Sequence, residues 1–242
     1  MCTVTFLAVN SRFHITSNRD EKMLRKNAVH PAAYKQNNTV LTYPRDADAG
    51  GTWIAMKDNG DAAVLLNGAF KNHDSKPPYR KSRGLIFLDI FSNDSAIDEL
   101  NFIPLHNIEP FTIIIFENKN LFECRWDGNR KYQKQLDISK PYIWSSATLY
   151  SEEVIERREE WFNKWLLENP SPSQEDILAF HQFGGEGDAH NDFLMNRNNM
   201  MLTVSVTGIE LNANSASMHY LDLKQKTKSK IQTHFKKATA AI

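Results

Sequence analysis

Cysteine is the second residue of this chain, and the tetrapeptide Asn18-Arg19-Asp20-Glu21 follows soon after it. Removal of the initiator methionine, which is favoured when the next side chain is small, would leave Cys2 at the N-terminus. Its own α-amino group, with a pKa of ~7.7 to 8.0, is then available near neutral pH to take the thiol proton, directly or through water. A thiol that starts at ~8.5 is lowered further by a neighbouring guanidinium such as Arg19, and Asp20 can hold either cation by charge-assisted hydrogen bonds. The chemistry this combination supports is attack of a thiolate on a carbonyl. The alternative is that Cys2 is a small apolar residue opening a strand and that 18–21 is a solvated turn. Spacing alone leaves both readings open.

The elements around these residues decide whether they meet. Alternation over residues 2–8 predicts a strand, 10–12 a turn, and 13–17 a second strand. Such a hairpin returns the chain to its starting level and brings 18–21 beside Cys2. Residues 22–48 read as a polar, irregular connection broken at His30-Pro31 and Tyr43-Pro44. Strands follow near 52–56, 62–66, 111–116 and 121–126, with two more at 201–211 and 216–223. Helices are expected over 80–93, over 94–100 from a cap at Asn93 or Asp94, over a stretch starting at Ser151, and from Ser173 to about 183. The expected class is α+β with largely antiparallel sheets, in one domain over 1–242 whose last residues, 224–242, form an exposed basic tail.

The opening Met1-Cys2-Thr3-Val4-Thr5-Phe6 together with Asn18-Arg19-Asp20-Glu21 resembles the start of the NRDE family, also known for the transport-and-Golgi-organisation protein 2. Gly50-Gly51-Thr52-Trp53, Asn59-Gly60 and Leu65-Leu66-Asn67 resemble its second block. Ser82-Arg83-Gly84-Leu85 with Asp89-Ile90-Phe91 resembles its third, in the same order. That family is similar in turn to N-terminal-nucleophile hydrolases such as penicillin V acylases, bile salt hydrolases and acyltransferases that begin with cysteine. The resemblance implies a four-layer αββα sandwich of two antiparallel sheets. It implies Cys2, Arg19, Asp20 and Asn67 as the catalytic group, with Asn67 donating to an oxyanion or, on the bland reading, serving a turn beside Gly68. Asn18, Trp53, Arg45 and Ser146 are the expected substrate-binding residues.

Departures from the pattern accompany the matches. Arg19 and Asp20 are adjacent, so their side chains should leave a strand on opposite faces. Ser146 stands where an asparagine is usual, and Val204 lies where the family carries an arginine, for which Arg197 is the substitute at hand.

Twenty-nine basic and 29 acidic residues cancel, so no global field recruits nucleic acid or an anionic membrane, which leaves only a local patch to do so. No stretch reaches the ~18 to 20 apolar residues of a membrane span, and the N-terminus lacks a secretory pattern, so a cytoplasmic location is expected. Two cysteines exclude a disulfide framework and a four-cysteine zinc site; Cys124 reads as a packed thiol. His181, His190 and Asp192 lack metal-ligand spacing, and Gly184-Gly185-Glu186-Gly187 lacks the context of a phosphate loop, leaving it to cover a pocket. No metal or other cofactor is expected. The expected function is an amidohydrolase or acyltransferase acting on a small-molecule amide or thioester. The alternative is a non-catalytic binder of haem or an acyl-lipid or acyl-CoA ligand on the same fold. Oligomeric state is left open.

Overall fold

The structure is a computed structural model that describes residues 3–37 and 39–235. The expected nucleophile, Cys2, lies outside the described residues, as do 236–242.

Strands β1 (Thr3–Val9) and β2 (Arg12–Lys22) form the expected hairpin, reversing through Asn10 and Ser11 at φ 49° and 62°. Positive φ at both turn residues matches the right-handed twist of the flanking strands. The connection over 22–48 is not irregular as expected: it contains β3 (Val29–Gln36) and β4 (Thr39–Arg45). The prolines that suggested breaks are accommodated. Pro31 falls at a register shift on an edge strand, and Pro44 lies beyond the last β4 pair with β5 (Ile54–Lys57), so neither removes a ladder hydrogen bond.

Next come β6 (Ala62–Asn67), α1 (Arg83–Phe91), α2 (Ala96–Phe102), β7 (Phe111–Glu117), β8 (Asn120–Trp126), β9 (Lys131–Leu136) and β10 (Tyr142–Ser145). The cap of α2 is Ser95, not Asn93 or Asp94, because its hydroxyl accepts from the Asp98 amide. Helices α3 (Glu152–Glu168) and α4 (Gln174–Phe183) start at Ser151 and Ser173, the latter with a full capping box to Asp176. The chain ends in β11 (Asn196–Arg197), β12 (Met201–Leu211), β13 (Ser215–Asp222) and β14 (Thr227–His234). The last strand corrects the expected tail: residues 227–234 pair along β13, alternating exposed and half-buried side chains, so their basic residues are the solvent face of an edge strand.

Two seven-stranded antiparallel sheets result, one ordered β10-β1-β2-β12-β13-β14 with β11 on β12, the other running β3 to β9 in sequence order. Their inner faces share a core in which Phe6 and Phe13 of the first sheet meet Phe116 of the second, ring centres 6.1 and 4.7 Å apart. Leu7, on the opposite face of β1, packs with Phe162, Ile177 and Phe180 of α3 and α4, while α1 and α2 cover the second sheet. The protein is an α+β, αββα sandwich, as the family resemblance implied.

The candidate functional site

Strand alternation assigns two different surroundings to the end of the first hairpin. On β2, Phe13 and Ile15 face the inner core and Arg19 continues that row, while His14, Asn18 and Asp20 face the α3–α4 layer. Thr3 pairs with Asn18 on one side and with Ser145 on the other. The next residue on each flank leads to the same place. Arg19 lines a cavity of about 490 Å³ between the sheets, and the Ser146 hydroxyl donates at 2.9 Å to the carbonyl of Asn67, which lines it too. The cavity therefore opens at the end of β1 where the chain runs back toward Cys2.

Trp53, 3% exposed, forms one wall, and the Arg19 guanidinium lies 4.5 Å from its ring centre. Arg19 Nη2 also donates to Asp46 at 2.6 Å and meets Glu21 at 3.4 Å. Asp46 takes a second guanidinium, that of Arg25, through both carboxylate oxygens at 3.1 Å. Burial by itself would raise the Asp46 carboxyl, but hydrogen bonds from Arg25 and the Ala49 amide, with the charges of Arg19 and Arg25, outweigh it and hold the group below its ordinary value. The opposite wall is the start of α1, with Ser82, Arg83 and Gly84, and Glu109 pairing Arg83 at 3.1 Å. This wall sits close because of two glycines: a Cβ on Gly51 would lie 2.5 Å from the Gly84 carbonyl carbon.

The expected site residues divide. Arg19, Trp53 and Asn67 converge on the cavity, and no hydrogen bond among the described residues engages the Asn67 side-chain amide. Asp20 does not join them: its carboxylate accepts from the hydroxyls of Tyr150 at 2.7 Å and of Thr203, behind the first sheet. Asn18 also faces away, donating to the carbonyls of His181 and Phe193. Ser146 is buried and acts through Asn67, without reaching the cavity surface. Arg45 is exposed at the far end of β4, its guanidinium 5.6 Å from the Tyr34 ring, because the cavity side of that strand end is taken by Asp46. Val204 occupies the register shift between Thr203 and Ser205, and Arg197 donates to the carbonyls of His190 and Leu149, so it supplies no guanidinium to the cavity. The glycine-rich loop is bound down elsewhere, the Glu186 and Gly187 amides donating to Asp192, and does not cover the cavity.

Behind Thr3 lies a buried polar layer that sequence reasoning missed. Arg158 is fully buried and donates to the Thr3 hydroxyl and to the carbonyls of Asn191 and Asp192, its guanidinium 3.8 Å from the Tyr150 ring centre. The signal was available: Arg158 sits one helical turn before Phe162, on the apolar stripe of α3. His181, which offered no metal-ligand spacing, is wholly buried. Asn18 spends its amide on two carbonyls, so its Oδ1 accepts from His181 Nδ1, and His181 Nε2 accepts from the Thr5 hydroxyl at 2.7 Å. Burial, with the charge of Arg158 behind it, pushes this imidazole down to about 3 and keeps it neutral. Among the described residues no cluster of His, Cys, Asp and Glu has a metal-binding arrangement.

The family model described as Transport and Golgi organisation 2 matches residues 1–232. No curated protein matches the sequence. Solved structures match the fold. The N-acylethanolamine-hydrolyzing acid amidase ortholog of Caenorhabditis elegans superposes with a TM-score of 0.60 at 14% identity, covering 86% of this chain and 92% of its own. A mutant of the conjugated bile acid hydrolase of Clostridium perfringens gives 0.61 at 11% identity, covering 98% and 97%. At these identities the likeness concerns the fold.

Proposed function

The chain belongs to the Transport and Golgi organisation 2 family, and from that premise we propose that it is an N-terminal cysteine amidohydrolase or acyltransferase acting on a small non-peptide amide or thioester. The observation that carries this reading is the convergence of Arg19, Trp53 and Asn67 on one cavity at the open end of β1, one residue beyond which Cys2 stands in the sequence.

In the proposed reaction the Cys2 thiolate attacks the acyl carbonyl carbon, and the Asn67 side-chain N–H donates to the oxyanion as it forms. The C–N or C–S bond breaks as the departing amine or thiol takes the proton held by the α-ammonium of Cys2. An acyl thioester remains. Water or a second acceptor, losing its proton to the α-amino group, attacks this thioester, releases the product and restores the thiol. Arg19 contributes a positive charge oriented by Asp46 and Trp53, and Trp53 gives the acyl group an apolar wall. Asp20, Asn18 and Ser146 hold the strand ends that carry these groups.

Intact mass measurement tests the first requirement: retention of Met1 on protein from a processing-competent host excludes the mechanism. Where Met1 is removed, Cys2→Ala is expected to abolish both turnover of N-acyl amides or acyl thioesters and labelling by a carbonyl-directed electrophile.

A second reading has its own observation. Arg19 is already paired with Asp46 and Glu21, so much of its charge is spent before any substrate enters. That favours a binder of haem or of an acyl-lipid or acyl-CoA ligand. Ligand affinity equal in wild type and Cys2→Ala, with no turnover in either, would select it.

A further inference from the structure

Two chain reversals next to the cavity carry apolar side chains into solvent. The turn after β2 presents Met23 and Leu24, and the β11–β12 hairpin presents Met200; Leu24 is 99% exposed, Met200 69% and Met23 45%. The reversals are tied together. The Met23 amide donates to the Met200 carbonyl at 2.9 Å, and Lys224 Nζ donates to the carbonyls of Met23 and Arg25 at 3.1 and 3.2 Å. A groove of about 800 Å³ runs beside them; among the described residues its charged lining is Lys22 and Arg197, and no carboxylate lines it. Single exposed apolar residues are ordinary, whereas three held on one edge with cations and no acid have the composition of a surface that meets an apolar phase beneath an anionic boundary. On a chain whose charges cancel overall, that local imbalance is a property of this edge.

We propose that this edge docks the protein on an anionic lipid bilayer, with Met23, Leu24 and Met200 entering the acyl region, Lys22 meeting the headgroups, and Arg197, held by the His190 and Leu149 carbonyls, adding its positive charge from behind them. A second copy fits less well, because a two-fold contact would set the cations of one patch against those of the other. A single lipid molecule fits less well too, because Leu24, although it borders the groove, is 99% exposed, so a ligand seated in the groove would leave most of its apolar surface in water. Met23 and Leu24 are flanked by Glu21 at the end of β2 and by Arg25 after the turn, both of which line the cavity, so docking turns that side of the cavity toward the membrane. The docking does not depend on whether Cys2 is catalytic.

The test is flotation of the full chain with vesicles of phosphatidylcholine alone and of phosphatidylcholine containing phosphatidylserine, with sedimentation velocity on the same samples. Binding is expected to the anionic vesicles, weakened by salt. Leu24→Asp should lower the partition at least about tenfold through loss of apolar burial, and Lys22→Gln about fivefold. Thermal unfolding of each variant checks that these exposed changes leave the fold intact. Absence of binding to anionic vesicles, or binding indifferent to Leu24→Asp, overturns the proposal. A dimer that disappears in Leu24→Asp, without vesicle binding, overturns it in favour of a contact between copies.

Discussion

The guanidinium of Arg19 lies 4.5 Å from the centre of the Trp53 ring, joining the two antiparallel sheets at the mouth of their shared cavity. Strand β2 carries the first residue and the approach to β5 the second, so a family signature from one sheet is seated on an aromatic wall from the other. The stacking leaves the Nη2 edge of the guanidinium turned to Asp46. Asp46 in turn is fixed by Arg25 and by the amides of Asp48 and Ala49.

Asp46→Asn removes a half-buried carboxylate shared by two guanidinium groups and is expected to cost about 2 to 3 kcal/mol at pH 7. The wild-type carboxyl is held below its unfolded value of ~3.9, so its contribution is present above that pH and is lost as the pH falls through the folded value. Urea unfolding of both proteins at a series of pH values should show the gap narrowing below about pH 4. A constant gap would mean the carboxylate charge is not what matters.

His181 gives a dependence in a different range. Its folded value of about 3 lies below the unfolded ~6.5, because burial and Arg158 disfavour the cation. The stability it contributes is complete above ~6.5 and declines by about 1.4 kcal/mol per pH unit as the pH falls toward the folded value. His181→Gln is expected to flatten that slope between pH 6.5 and 4, at a fixed cost at neutral pH, as read from urea midpoints.

Gly51→Ala forces a Cβ against the backbone of Gly84 at 2.5 Å, where no flexible side chain can give way. A loss of about 3 kcal/mol is expected, together with widening of the cavity wall between the start of α1 and Thr52. Thermal unfolding reports the first. Weaker binding of any ligand that occupies the cavity reports the second.

Cys124 lies fully buried on β8, and burial, added to by the Glu123 and Glu117 charges, pushes its thiol up to about 12. Iodoacetamide at pH 8 is therefore expected to leave Cys124 unmodified in the native protein and to alkylate it only in denaturant. Mass spectrometry of the native reaction then reports on Cys2 alone.

Much of the fold was legible because it depends on local periodicity. The hairpin at the N-terminus, the pair β5–β6, helix α1 and the capping box of α4 all follow from alternation, apolar runs and Ser-to-Asp spacing. Strands β3 and β4 were missed because Pro31 and Pro44 look like breakers unless the edge position and the register shift are known. Strand β14 was missed because one polar face of an edge strand resembles a basic tail. Neither distinction exists in a window of neighbouring residues.

The candidate site divides the same way. By itself the sequence determined the family blocks, the position of Cys2, and the rule that adjacent Arg19 and Asp20 must leave β2 on opposite faces, since strand alternation is a local property. Only the tertiary structure decided which face was which. Arg19 turned inward to Trp53 and Asp46, while Asp20 turned outward to Tyr150 and Thr203. It also decided that Arg158 and His181 would fill the buried layer behind Thr3 and Thr5. The partners in these contacts lie up to 183 positions apart. Buried polar groups take whatever donors and acceptors the packed layers bring to them, and that choice is made by the meeting of the layers, not by spacing along the chain.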